Sequence, residues 1–294
     1  MYVALPDGTK IYYNVNNEEK TVDSSSEVLI LLHGGPGLAD HTVYAPFWSK
    51  LSGIIQVIFI DMRGHGRSDG QYTPESWTLK QWGQDVYDFC NALNIEKPIV
   101  AGVSFGGWVA LSYATQYPEH ARALILCHTE ARVAIETRKQ AYSKKAESLG
   151  QSGPEISAIV QQMYDWESGP ITRELYLKHC IPLYSKEPYI ASGTSDCIRN
   201  TDVWDSFGKK QYEFDFLPEL HTVEIPVLIL TGEQDPEHPP EFAEAMALKF
   251  PRARLVVVKD AGAPAYRDKE EETLGILIDQ VAKWIVSKSN LTSA

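Results

Sequence analysis

Five short apolar runs recur along the chain: Val28–Leu32, Ile54–Ile60, Ile99–Val103, Ala121–Cys127 and Ile225–Leu230. Each is continuous rather than alternating, as expected of strands covered on both faces of a sheet. Between them lie Thr78–Leu93, an amphipathic helix that Thr78 is suited to cap, and Trp108–Tyr117, a helix-like run. Pro239–Phe250 reads as a helix, Arg254–Lys259 as a strand and Glu270–Lys288 as a closing helix. At the N-terminus Val3–Leu5 and Lys10–Asn14 flank Pro6-Asp7-Gly8-Thr9, which predicts a hairpin; residues 16–27 read as a polar loop. Strands alternating with helices predict an α/β protein with a mostly parallel sheet and helices on both faces. From Arg132 to Thr222 the β-like runs vanish, and charged helical patterns alternate with Gly/Pro/Ser breaks. This predicts an inserted helical cap at 131–222 on a core of 1–130 and 223–294.

Composition narrows the class. The formal charge is −12 over 294 residues, which argues against nucleic acid as a partner because phosphate backbones demand a basic face. It also argues against an anionic membrane surface. Four cysteines show neither metal spacing nor a dense framework, and no basic, apolar leader opens the chain, so a reduced cytoplasmic setting is expected. Asn290-Leu291-Thr292 fits a glycosylation sequon without consequence there.

The chemistry gathers at strand ends. Gly102-Val103-Ser104-Phe105-Gly106 follows an apolar run and opens a helix-like one. In that context Gly-x-Ser-x-Gly is a strand-turn-helix elbow that pushes a serine hydroxyl out at the carboxyl edge of a sheet. A serine nucleophile requires a base, an acid that orients the base, and donors for an oxyanion. His33-Gly34-Gly35-Pro36-Gly37, just past another strand, can supply backbone N–H groups; Gly35 and Phe105 are the expected oxyanion donors.

Taken together, these motifs and Asp61-Met62-Arg63-Gly64-His65-Gly66-Arg67-Ser68 resemble the proline iminopeptidase family of the α/β-hydrolase fold over the whole chain. The resemblance implies acyl transfer from an amide, ester or lactone to water through a Ser104 acyl-enzyme, without metal or organic cofactor. It implies Asp235, in Thr231-Gly232-Glu233-Gln234-Asp235, as the orienting acid. Its substrate would be a small molecule or short peptide. Glu130 and Glu233 are candidates for pairing with a substrate amine. The aromatics Tyr164, Trp166, Tyr176, Tyr184, Tyr189, Trp204, Phe207, Tyr212, Phe214 and Phe216 are candidates to pack the cap or line a pocket. An ester or lactone hydrolase without peptidase activity, and a catalytically silent ligand-binding protein, are the alternatives.

One position departs from the family. Its catalytic histidine falls where Ala263 stands, in Lys259-Asp260-Ala261-Gly262-Ala263-Pro264. Alanine accepts no proton, so the expectation is a chain of little activity. Three explanations stand open: an engineered replacement, a natural loss, or service by another histidine. His238 is the best substitute because it shares the Asp235 loop, although it lies three residues from the acid it would face. His33 and His65 read as structural; His41, His120, His128, His179 and His221 have no motif around them.

Overall fold

The computed structural model describes residues 1–16, 21–23, 26–165, 170–186, 196–210 and 213–289. Eight strands form one sheet in the order β1-β2-β4-β3-β5-β6-β7-β8. They are β1 Tyr2–Ala4, β2 Lys10–Val15, β3 Val28–Leu32, β4 Gln56–Ile60, β5 Ile99–Val103, β6 Ala123–Cys127, β7 Val227–Gly232 and β8 Ala253–Val258. β1 and β2 form the expected hairpin, and β2 runs antiparallel to β4; every pair from β4 through β8 is parallel.

The helices are α1 Ala45–Trp48, α2 Leu79–Ala92, α3 Phe105–Gln116, α4 Ile135–Ser148, α5 Gly153–Asp165, α6 Pro170–His179, α7 Thr201–Phe207, α8 Pro240–Ala247 and α9 Glu270–Ser289. The central strands are buried along their whole length because alternate residues feed two cores. Ile30, Leu32, Ile58, Ile60, Val100, Leu124 and Ile229 pack against α2, α3 and α8. Leu29, Leu31, Val57, Phe59, Ala101, Ile125 and Leu228 pack against α1 and α9. The strand period of two therefore carries a three-layer structure.

Between β6 and β7 the chain leaves the sheet, and α4 to α7 lie there. A third apolar cluster, with Tyr142, Ile156, Val160, Met163, Tyr176 and Leu183 at its centre, holds α4, α5 and α6 together. The excursion closes where it opened: Phe216 N–H donates to Ala131 O at 2.9 Å, and Arg132 bridges to Asp215.

The loop after β4 anchors the frame. The buried Asp61 carboxylate accepts from His41 N–H at 3.0 Å and Arg67 N–H at 2.9 Å. Arg63 forks onto Asp85 of α2 at 2.7 and 2.8 Å and reaches Asp7 in the hairpin at 2.7 Å. The Asp61–Ser68 motif is thus a buried brace between hairpin, sheet and α2. Cys90, Cys127, Cys180 and Cys197 are free thiols. Among the described residues no helix is long and apolar enough to cross a membrane.

Candidate active site

Ser104 stands between the last residue of β5 and the first of α3, at φ 53° and ψ −119°. A side-chain-bearing residue pays for that positive φ in strain, and such strain concentrates at functional sites. The surroundings hold it: Ser104 N–H donates to Cys127 O at 2.9 Å, and Ser104 O accepts from Gly107 N–H and the Thr129 hydroxyl, each at 2.8 Å. Neighbouring glycines let the elbow form. A Cβ on Gly102 would lie 2.3 Å from Gly106 O, and one on Gly106 would lie 2.2 Å from Leu32 O. Ser104 caps nothing with its hydroxyl, which makes no hydrogen bond among the described residues.

Ser104 opens into a cavity of about 500 Å³. Gly35 and Phe105 line the same cavity. Gly34 shows how closely the post-β3 loop approaches: a Cβ there would lie 3.2 Å from Ser104 Cβ. Gly35 itself sits at φ 64°. Phe105 begins α3, so its N–H belongs to the first turn, where intrahelical acceptors are lacking. The expected nucleophile and both expected oxyanion donors therefore meet at one cavity.

Asp235 follows β7 and is buried. Its Oδ1 accepts from the backbone N–H groups of Glu237 at 2.9 Å and His238 at 2.8 Å. Its Oδ2 meets His128 Nδ1 at 3.0 Å. His128 lies just past β6, at φ 48°, buried at 2% exposure. Its Nε2 accepts from Ala265 N–H at 2.7 Å, so the network assigns the ring proton to Nδ1, which donates to Asp235. Ala263 lines the cavity, and its N–H donates to Tyr184 O at 2.5 Å. The β7 and β8 loops touch, since a Cβ on Gly232 would lie 2.1 Å from Gly262 O. Asp235 thus stands behind His128, which lines the cavity while Asp235 does not. Sequence reasoning passed over His128. The signal available was its place directly after an apolar strand, beside the strand that ends in Ser104.

His238 also lines the cavity, buried at 2% exposure, and neither ring nitrogen finds a partner. Burial, with Arg138 nearby, pushes its pKa down to about 3, so the ring is neutral at ordinary pH. It meets Asp235 through its backbone N–H rather than its ring.

The two candidate amine ligands lie elsewhere. Glu130 is 1% exposed and paired with Arg138, outside the cavity lining. Glu233 is exposed and accepts from Asp260 N–H at 3.1 Å, also outside the lining. The carboxylate that does line the cavity is Glu237, which the sequence reading missed. Tyr142, Tyr164 and Tyr176 donate to it at 2.7, 2.5 and 2.8 Å, and the fully buried Arg138 approaches at 3.1 Å. Burial raises all three phenols well above their ordinary range, which keeps them protonated donors. Of the aromatic candidates, Tyr164, Tyr176, Tyr184 and Trp204 line the cavity. Phe207 packs on Phe105 and Trp82 at ring distances of 5.4 and 5.0 Å, and Phe214 packs on Trp108 and Phe216. Trp166, Tyr189 and Tyr212 lie outside the described residues.

Asp40, His41 and Asp61 bring potential metal-ligand atoms within 4.8 Å of one another. Their oxygens are already engaged: Asp40 accepts from Thr42, Ile198 and Arg67, and Asp61 accepts from His41 and Arg67. Arg67 supplies positive charge beside them, so the group fits a buried brace rather than a cation site.

A strained serine at a β5–α3 elbow, an acid after β7 and a sheet of this order are diagnostic together with the family comparison. Residues 27–270 match the alpha/beta hydrolase fold family. The chain belongs to that family. It is 26% identical to the proline iminopeptidase PfmaB of Pestalotiopsis fici over 280 residues, covering 90% of this chain and 93% of that one. The proline iminopeptidase of Mycobacterium smegmatis superposes with a TM-score of 0.71 at 20% identity, covering 98% and 99% of the two chains. An esterase of Exiguobacterium antarcticum superposes at 0.72 with 20% identity, covering 96% and 98%. The sequence relative is named a proline iminopeptidase, and structures of this fold include both a proline iminopeptidase and an esterase.

Proposed function

We propose that this hydrolase-fold protein transfers an acyl group from a small amide or ester to water through a Ser104 acyl-enzyme, and that alanine at 263 leaves it slow. The observation that carries the reading is the strained Ser104 elbow, its free hydroxyl sharing a cavity with Gly35 and Phe105. In this reading Ser104 Oγ attacks the acyl carbon, the two N–H groups receive the developing oxyanion, and the leaving amine or alcohol departs. Segment 131–222 serves as the cap over the nucleophile.

The lining bears on substrate. Proline iminopeptidase chemistry calls for carboxylates that meet a free ammonium. Glu237 is the lining carboxylate, yet one buried guanidinium and three phenols already satisfy it. Little charge is left for an ammonium, so the site favours a neutral ester or amide whose apolar or ring-bearing part lies against Tyr164, Tyr176, Tyr184 and Trp204. A second reading, a ligand-binding protein without turnover, is favoured by the same Ala263.

Ala263→His tests the reading. Supplying a general base at that position is expected to raise turnover on the order of 10²-fold or more. A panel of N-blocked esters set against aminoacyl amides then reads substrate class, with the esters expected to be preferred. No turnover on either set, together with no acylation of Ser104 by an activated ester, would leave the ligand-binding reading standing.

A further inference from the structure

We infer that His128 is the base that serves Ser104 in the chain as it stands; the inference rests on the Ser104 reading above. Three observations carry it. First, β5 and β6 pair with Val103 opposite Cys127, and Ser104 N–H donates to Cys127 O. Ser104 and His128 are therefore the next residues out on neighbouring strands, and both line the cavity. Second, Asp235 Oδ2 holds His128 Nδ1 at 3.0 Å. The acid expected to orient a histidine at 263 orients His128 instead. Third, Nε2 carries the lone pair, because Ala265 N–H donates to it at 2.7 Å. A ring with its Nδ1 proton on a buried carboxylate and its lone pair at Nε2, held here by the Ala265 N–H, is in the tautomer that a general base requires.

His238 lines the cavity but meets neither the second nor the third condition. Neither of its nitrogens has a partner, and Asp235 touches its backbone rather than its ring. Among the described residues no hydrogen bond orients that imidazole, and burial beside Arg138 disfavours its protonated form.

The step closes as follows. His128 Nε2 exchanges the Ala265 N–H for the Ser104 hydroxyl. As the Oγ–carbonyl carbon bond forms, the Oγ proton passes to Nε2 and the carbonyl π pair becomes the oxyanion. The imidazolium, held by Asp235, then gives its proton to the leaving oxygen or nitrogen as that bond breaks. Water repeats the sequence to release the acid and return Ser104. The exchange at Nε2 is the cost of this arrangement, and it accounts for a site slower than one with an unencumbered imidazole at 263.

The test is pre-steady-state acylation by p-nitrophenyl acetate, read as the burst of nitrophenol. Ser104→Ala is expected to remove the burst; a burst that survives it removes the Ser104 reading itself. With that established, His128→Gln should slow the burst on the order of 10²-fold or more. A burst within about threefold of the parent rate in His128→Gln overturns the inference, all the more if His238→Gln removes it. A second measurement covers the case in which His128→Gln does not fold. Histidine ¹⁵N NMR of the unaltered chain, before and after phenylboronic acid adds to Ser104, should show His128 Nε2 gaining a proton in the adduct. Unchanged His128 resonances in a formed adduct overturn the assignment.

Discussion

Ser104 illustrates how one residue can be costly to the fold and central to the site. Its φ of 53° lies where glycine is comfortable and serine is not. Glycine there would relax the backbone but remove the hydroxyl. Ser104→Gly is therefore expected to exceed Ser104→Ala in stability by about 1 kcal/mol, since both lack the hydroxyl but only alanine keeps a Cβ in the strained conformation. Equilibrium urea unfolding of the two variants checks this, and a more stable Ser104→Ala would show that the elbow is unstrained. The family resemblance points to Asp235, just past an apolar run, and the structure buries it beside His128. That partner was not legible in the sequence, because the hydrogen bond to His128 spans 107 residues.

At the scale of elements, the apolar runs predict the strands closely. Val28–Leu32 is β3 and Ile99–Val103 is β5 without change, and the other central strands differ by two residues at their ends. The runs overshoot at Ala121 and Ile225, which are apolar because they pack on the core beneath the approach to the strand, and at Ile54, which is exposed. The helix after Ser104 begins earlier than its helix-like run suggests, at Phe105, because α3 is buried nearly all round and shows little periodicity to mark its start. Where β3, β5 and α3 converge, backbone meets backbone. Gly106→Ala would set a Cβ 2.2 Å from Leu32 O, with no flexible side chain to give way. We expect a loss of about 2 kcal/mol or more in chemical denaturation; a change below about 0.5 kcal/mol would mean that α3 can shift away from β3.

For the whole molecule, the buried cluster beneath the excursion couples stability to pH. One guanidinium, Arg138, serves two carboxylates. Glu237 has three phenol donors besides, whereas Glu130 Oε2 has no partner. Burial therefore raises the Glu130 pKa from its ordinary 4.5 to about 8, against the pull of Arg138. At neutral pH the folded protein holds a proton that the unfolded chain has released. The stability attached to Glu130 is complete below about pH 4.5 and is lost as the pH rises through about 8. Glu130→Gln cannot titrate. Relative to the parent it should become progressively more stable between those limits, on the order of 1 kcal/mol per pH unit. Thermal melts of both proteins across that window test it, and parallel curves would show Glu130 ionised throughout.

The sequence by itself determined the layers, the helical stretch between β6 and β7, and the Ser104 elbow, since each rests on local periodicity or on a motif a few residues long. It also exposed the absence of a histidine at 263. Only the tertiary structure decided which groups the buried charges face. It moved Glu130 and Glu233 out of the cavity lining, brought Glu237 into it against Arg138, and set His128 on Asp235. Those pairings join residues from different strand ends and from the excursion, and no local pattern in the chain encodes which of many buried polar side chains will meet. The need to satisfy each of them once water is excluded makes that choice, and it is made only when the layers close.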